Sequence, residues 1–176
     1  MGRTRRLRPA DGALDPERAG SADAAHAAAL RLLSDRARTR AELAERLAER
    51  GFDQAAVATA LERLTRVGLV DDAALAVAAA ESRAEQGLDA PAIALELRDR
   101  GVDPAVAAAA AEAAVPATTR SERCRRVAEA RLARLAGLDP EVQLRRLATY
   151  LARRGYPAEI AEPVAMEVVW RDRGRS

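Results

Sequence analysis

Lysine is missing altogether: all 29 basic residues of the chain are arginine. We read this as biased base composition in the source genome, so arginine content alone does not mark a nucleic-acid surface. Cysteine occurs once, as Cys124, which excludes an internal disulfide and fits a reducing compartment. Histidine also occurs once, as His26, and with one cysteine it leaves no zinc-type ligand cluster. Aromatic residues number four: Phe52, Tyr150, Tyr156 and Trp170. Apolar runs are too short to span a bilayer, Ala105–Ala111 being the extreme before Glu112 ends it. The basic start Arg3–Arg8 runs into Pro9 and Asp11 and not into an apolar stretch, so no secretory signal is expected. Neither a glycine-rich phosphate loop nor a nucleophile elbow occurs, and with one histidine for general-base work the chain is not expected to be an enzyme or to need a cofactor or metal.

What remains is helix-forming. The 176 residues include 45 Ala and 20 Leu against 12 Val and 2 Ile, the opposite of a strand-rich composition. Charge is unevenly spread: residues 71–119 carry a net −6 and residues 120–176 a net +5. The acidic middle and basic final third suggest two electrostatic faces or ends. Residues 1–20 mix Arg, Pro, Gly and Asp without periodicity and read as a disordered basic tail.

Helical signals begin at Ser21, a good N-cap. Thr39 with Glu42 has the capping-box spacing, and Leu43 and Leu47 make the apolar stripe that follows. Leu47–Phe52, Leu97–Val102 and Leu151–Tyr156 all follow the pattern L-x-x-R-G-apolar, their glycines Gly51, Gly101 and Gly155 lying 50 and 54 residues apart. Each has an apolar i, i+4 pair before it and a helix-start residue (Asp53, Asp103 or Pro157) after it. A period near 50 predicts an all-α fold, an elongated tandem array of three three-helix repeats. The expected division is a tail over 1–20 and repeats over 21–70, 71–116 (acidic, Ala-rich) and 117–176 (basic). Helices over roughly 22–68, 72–114 and 120–170 build them, with the link Val115–Thr119 the more flexible one.

The arginine of each L-x-x-R-G motif (Arg50, Arg100, Arg154) is explained by a helix C-terminus: cation at the negative dipole end, then a glycine able to take positive φ. Asp72 is expected to cap helix 73–85 and not to serve a metal. The candidate partner or nucleic-acid surface lies in the basic third. Arg123, Arg126 and Arg134 share one face of a helix at 100° per residue, and Arg145, Arg146, Arg153 and Arg154 add charge from the next. Against this stands a solvated face with Glu122–Arg126 and Arg125–Glu129 paired. Tyr150 leaves two roles open, core filling or base stacking. Tyr156 reads as core, and Trp170 as a seal for the last repeat.

Taken as a set, Leu61-Glu62-Arg63-Leu64, Gly68 to Asp72, Ser82-Arg83, Ile93 to Val102 and Leu147 to Pro157 resemble the RecX family of bacterial regulatory proteins. The likeness runs from about Ala25 to Val169. It implies tandem three-helix repeats, binding in the groove of the RecA recombinase filament on single-stranded DNA, and negative regulation of strand exchange and ATPase activity in DNA repair, recombination and the SOS response. With it goes the expectation of a cytoplasmic monomer, off the membrane, touching single-stranded or duplex DNA weakly through the basic repeat. Two departures stand out. Leu75 replaces an aromatic usual after the paired acids, and Glu85, Gln86 and Asp89 make acidic a region that is usually basic. A reading from another class takes Thr39–Val70 as the core of a winged-helix transcriptional regulator, which requires a β-hairpin wing after Val70.

Overall fold

Ser21 accepts the amide of Ala24 on its hydroxyl at 3.2 Å and starts the first long helix of the computed structural model, which describes residues 14–173. The helices are α1 Pro16–Ala19, α2 Ala22–Asp35, α3 Arg40–Glu49, α4 Gln54–Arg66, α5 Asp72–Glu85, α6 Ala90–Asp99, α7 Pro104–Ala114, α8 Arg120–Leu132, α9 Pro140–Arg153 and α10 Ala158–Arg173. Short 3₁₀ turns at Ala117–Thr119 and Ala133–Leu135 flank α8, and no strand occurs among the described residues. The fold is therefore the all-helical repeat that the motif spacing predicts.

The repeated motif has one geometry in all three copies. Gly51, Gly101 and Gly155 take φ of +85°, +81° and +86°. The amide of the following apolar residue reaches back to the motif leucine, Phe52 to Leu47 at 3.2 Å, Val102 to Leu97 at 3.1 Å and Tyr156 to Leu151 at 3.2 Å. Those bonds satisfy carbonyls that the helix end leaves without donors. The apolar residue itself returns to the core, with Phe52, Val102 and Tyr156 all buried.

Two compact units result, one up to Leu75 and one from Ala76 on. The first is built on α2, α3 and α4 around Leu43, Leu47, Leu61 and Leu64, each at most 2% exposed. Thr39 and Glu42 form the expected capping box at the start of α3. Asp71, not Asp72, caps α5 by accepting the amide of Ala74 at 2.9 Å. The Asp72 carboxylate instead accepts the amide of Arg40 at 2.8 Å, at the head of α3. Of two adjacent acids, the one facing a free helix-end amide is drawn to it, and only tertiary structure shows which that is. No hairpin wing follows Val70: α5 begins two residues later, which removes the winged-helix reading.

Of the residues expected as a tail, 1–13 lie outside those described, together with Arg3, Arg5, Arg6 and Arg8. From Leu14 on the chain is built into the first unit: Asp15 caps α1, and the carbonyl of Ala19 accepts the amide of Asp53 at 2.9 Å.

The second unit holds two helix trios, the acidic one and the basic one. One core gathers Ala76, Ala80 and Ala84 of α5 around Ile93, Leu97 and Val102, and Ala107 and Ala111 close it from α7. The other gathers Cys124, Leu132, Leu147, Leu151 and Tyr156 against Val164, Val168 and Val169 of α10. Alanine removes little area from water, at about 25 cal/mol per Å². The middle trio therefore relies on close helix approach and on polar ties to the third. The link at Val115–Thr119, expected to be flexible, is held: Val115 is fully buried, and Glu112 accepts the amide of Ala117 at 2.9 Å. Trp170 does not seal the last trio; it is half exposed, while its neighbours Val168 and Val169 are buried. Pro163 interrupts the hydrogen-bond ladder of α10.

Candidate functional site

The seven arginines singled out from the sequence separate into two kinds. Arg123 and Arg154 are half-buried and spent on structure. Arg123 Nη2 donates to the carbonyl of Ala84 at 2.6 Å, and Arg154 Nη1 donates to the carbonyl of Gln86. Both acceptors lie where α5 ends, so two guanidiniums from the third trio meet the negative pole of a helix in the second. Beside them Arg120 Nε lies 3.0 and 2.9 Å from the two carboxylate oxygens of Asp89, whose side chain is fully buried. Arg120 also reaches Glu112 at 3.3 Å. The amide of Asp89 donates to the carbonyl of Arg154 at 2.7 Å. Burial drives the Asp89 carboxyl above the ordinary carboxylate range, opposed by Arg120.

Arg126, Arg134, Arg145, Arg146 and Arg153 are the second kind. All are exposed, and none of their side chains has a hydrogen-bond or ion-pair partner among the described residues. The pairings expected to quench this face do not form. Arg125 turns to Glu167 at 3.1 Å, and Glu129 is taken by Arg171 at 3.0 Å, both across α8 and α10. Glu122 leaves Arg126 free. Arg134 falls off the helical face assumed for it, because α8 stops at Leu132 and Arg134 sits in the 3₁₀ turn Ala133–Leu135. Five guanidiniums thus stand exposed and unpaired on α8, α9 and the 3₁₀ turn between them.

Tyr150 is resolved by its neighbours. Arg131 and Arg154 stack on its ring, 4.8 and 4.6 Å from the centroid. The ring is thus committed to cations of its own chain and is not an open stacking platform. Tyr150, Arg123, Arg126 and Arg154 border a cleft of about 370 Å³ whose far wall is the turn Glu85–Gly87. This cleft was not legible in the sequence, since its walls come from segments up to 68 residues apart. Tyr156 and Cys124 lie beneath in the core. Burial pushes the phenol up to about 12 and the thiol up to about 11, which keeps both neutral at ordinary pH. Among the described residues no helix is long and apolar enough to cross a membrane.

Comparison with known proteins places these features. A family model for the first three-helix domain of RecX matches residues 25–64, and one for the third three-helix domain matches residues 119–164. The regulatory protein RecX of Amycolatopsis mediterranei (strain U-32) is 42% identical over 137 residues, covering 77% of this chain and 78% of that protein. That of Mycobacterium sp. (strain KMS) is 44% identical over 151 residues, covering 82% and 79%. The crystal structure of RecX from Lactobacillus salivarius shares the fold with a TM-score of 0.70 at 20% identity, over 84% of this chain and 96% of that one.

Proposed function

The chain belongs to the RecX family of regulatory proteins, and from that premise we propose that it binds the RecA recombinase filament and lowers its strand-exchange and ATPase activity. Family membership over most of the chain is the observation that carries this reading. The protein acts by binding and not by catalysis, as a cytoplasmic monomer that needs neither metal nor cofactor. The exposed Arg126, Arg134, Arg145, Arg146 and Arg153 support a contact with DNA or with acidic filament surface. Arg123 and Arg154 are assigned instead to holding the second and third trios together. The acidic exposed residues of the middle trio, among them Glu81, Glu85 and Asp99, then face protein.

The deciding measurement is the DNA-dependent ATPase of RecA with and without this protein. Substoichiometric amounts are expected to depress the rate. An unchanged rate at molar excess would defeat the proposal.

A further inference from the structure

Helix α10 buries one side in the core of its trio, through Val164, Val168 and Val169, yet its outer side is not simply polar. Pro163, Met166 and Trp170 follow one another at steps of three and four, which sets them in one stripe. Met166 and Trp170 are each 53% exposed. Single apolar side chains on a surface are ordinary, but an apolar stripe with a polar rim marks a place where something docks. Carboxylates make the rim here. Glu159 and Glu162 stand exposed beside Pro163 on α10. The ion pairs Arg125–Glu167 and Glu129–Arg171 advance by four residues on both helices, so α8 and α10 run parallel, side by side. One turn back along that register, Glu122 of α8 comes level with Pro163. None of the side chains of Glu122, Glu159 and Glu162 has a hydrogen-bond or ion-pair partner among the described residues. Placement in the first turn of a helix accounts for Glu122 and Glu159. Nothing within the chain accounts for Glu162. Residues 120–176 carry a net +5, and this face is nevertheless acidic and partly apolar.

Its charge decides what covers it. Three unpaired carboxylates repel phosphate, so the occupant is not a nucleic-acid strand. A protein that holds single-stranded DNA does so in a positively charged groove, and it offers basic surface next to the strand. Resting on the reading of this chain as a binder of the RecA filament, we propose that the outer face of α10 docks on a basic part of RecA itself. Met166 and Trp170 enter an apolar recess, and Glu159 and Glu162 meet arginine or lysine at its edge. Tryptophan is enriched among the anchors of such contacts, since it removes a large area from water at little cost in side-chain freedom. The exposed arginines of α8 and α9 remain for other parts of the filament, so the third trio addresses its partner through two chemically different faces.

Met166 supplies the direct readout. The full chain is bound to RecA filaments on single-stranded DNA, binding is checked by co-sedimentation, and oxidation of Met166 by peroxide is followed by mass spectrometry. The filament is expected to slow this oxidation severalfold, and the same DNA without RecA to leave it unchanged. Trp170→Ala is expected to weaken affinity for the filament about thirtyfold, as for a central anchor. Glu162→Arg is expected to weaken it about tenfold, mainly through slower association, with no loss of binding to DNA alone. Both side chains are exposed, so the variants should melt near the parent, and Met166→Glu replaces Trp170→Ala should that variant melt early. Oxidation of Met166 as fast on the filament as off it, in a chain that co-sediments, would overturn the proposal. So would Trp170→Ala and Met166→Glu variants that bind as the parent does. Protection by DNA alone would assign the face to nucleic acid, and protection that grows with chain concentration without RecA would assign it to a second copy; either result overturns the proposal. Variants that depress the RecA ATPase as strongly as the parent would sink this surface and leave the functional reading standing. A parent that neither co-sediments with the filament nor depresses its ATPase would sink both.

Discussion

Gly51 and Gly155 occupy the same turn in two different settings. In the first unit a Cβ on Gly51 would meet Leu14 no closer than 3.7 Å, so only its φ of +85° demands glycine. In the second unit a Cβ on Gly155 would come within 2.7 Å of both the amide nitrogen and the Cβ of Ala92. The first corner is covered by an N-terminal segment through one bond, from the Asp53 amide to the Ala19 carbonyl. The second corner is a seam, fastened by Arg120, Arg123 and Arg154 to the ends of α5 and α6. One local motif thus serves as a simple helix stop in one unit and as a joint between trios in the other. The difference comes from what packs on the turn and not from the turn.

The seam is tested hardest at Arg120. Arg120→Ala strands Asp89 as a buried carboxylate without its partner, which is expected to cost about 3–5 kcal/mol. Calorimetry should then show the second unit melting well below its former temperature while the first keeps its own. Replacing Asp89 as well should recover much of the loss, and a single variant as stable as the parent would break the comparison.

A smaller difference is expected between the two glycines. Gly51→Ala should cost about 1–2 kcal/mol for a left-handed backbone alone. Gly155→Ala should cost about 1–3 kcal/mol more, because the Ala92 backbone must move. Equal denaturant midpoints for the two variants would mean that the close approach to α6 carries no energy.

Smallest in energy, but useful as a probe, is Cys124. Its thiol is fully buried and is raised from an ordinary 9 to about 11. The folded state favours the neutral form. Its contribution is therefore complete below pH 9 and is lost as pH climbs toward 11. Alkylation of the folded protein near neutral pH is expected to be slow and to speed up only on unfolding, as followed by mass spectrometry. Fast labelling at pH 8 would show that the third trio opens readily.

Much of this architecture could be read in the residues because its rules are local. The three L-x-x-R-G turns, the Thr39–Glu42 box and the Ser21 cap depend on neighbours within one or two helical turns, and each forms where expected. The failures are tertiary. Asp71 and Asp72 are equally able to cap, and the free amide of Arg40 decides between them. Arg123 and Arg126 look alike in the sequence, yet the first is drawn to a carbonyl 39 residues away and the second is left in solvent. Counting arginines finds the charged third, but cannot show that Arg123 and Arg154 are half-buried and bonded to carbonyls at the end of α5. The early stop of α8 at Leu132 had no glycine or proline to announce it, the first being Gly137.

Pro163 has a consequence for the order of assembly. Lacking an amide proton, it leaves the carbonyl of Glu159 without its helical donor and weakens the opening turns of α10. The large apolar anchors Val164, Val168 and Val169, and the ion pairs of Glu167 and Arg171 with α8, all come at or after the proline. Nucleation of this last helix is accordingly expected in its distal half, against α8, and a larger effect on folding rate from Val168→Ala than from Ala161→Gly would show it.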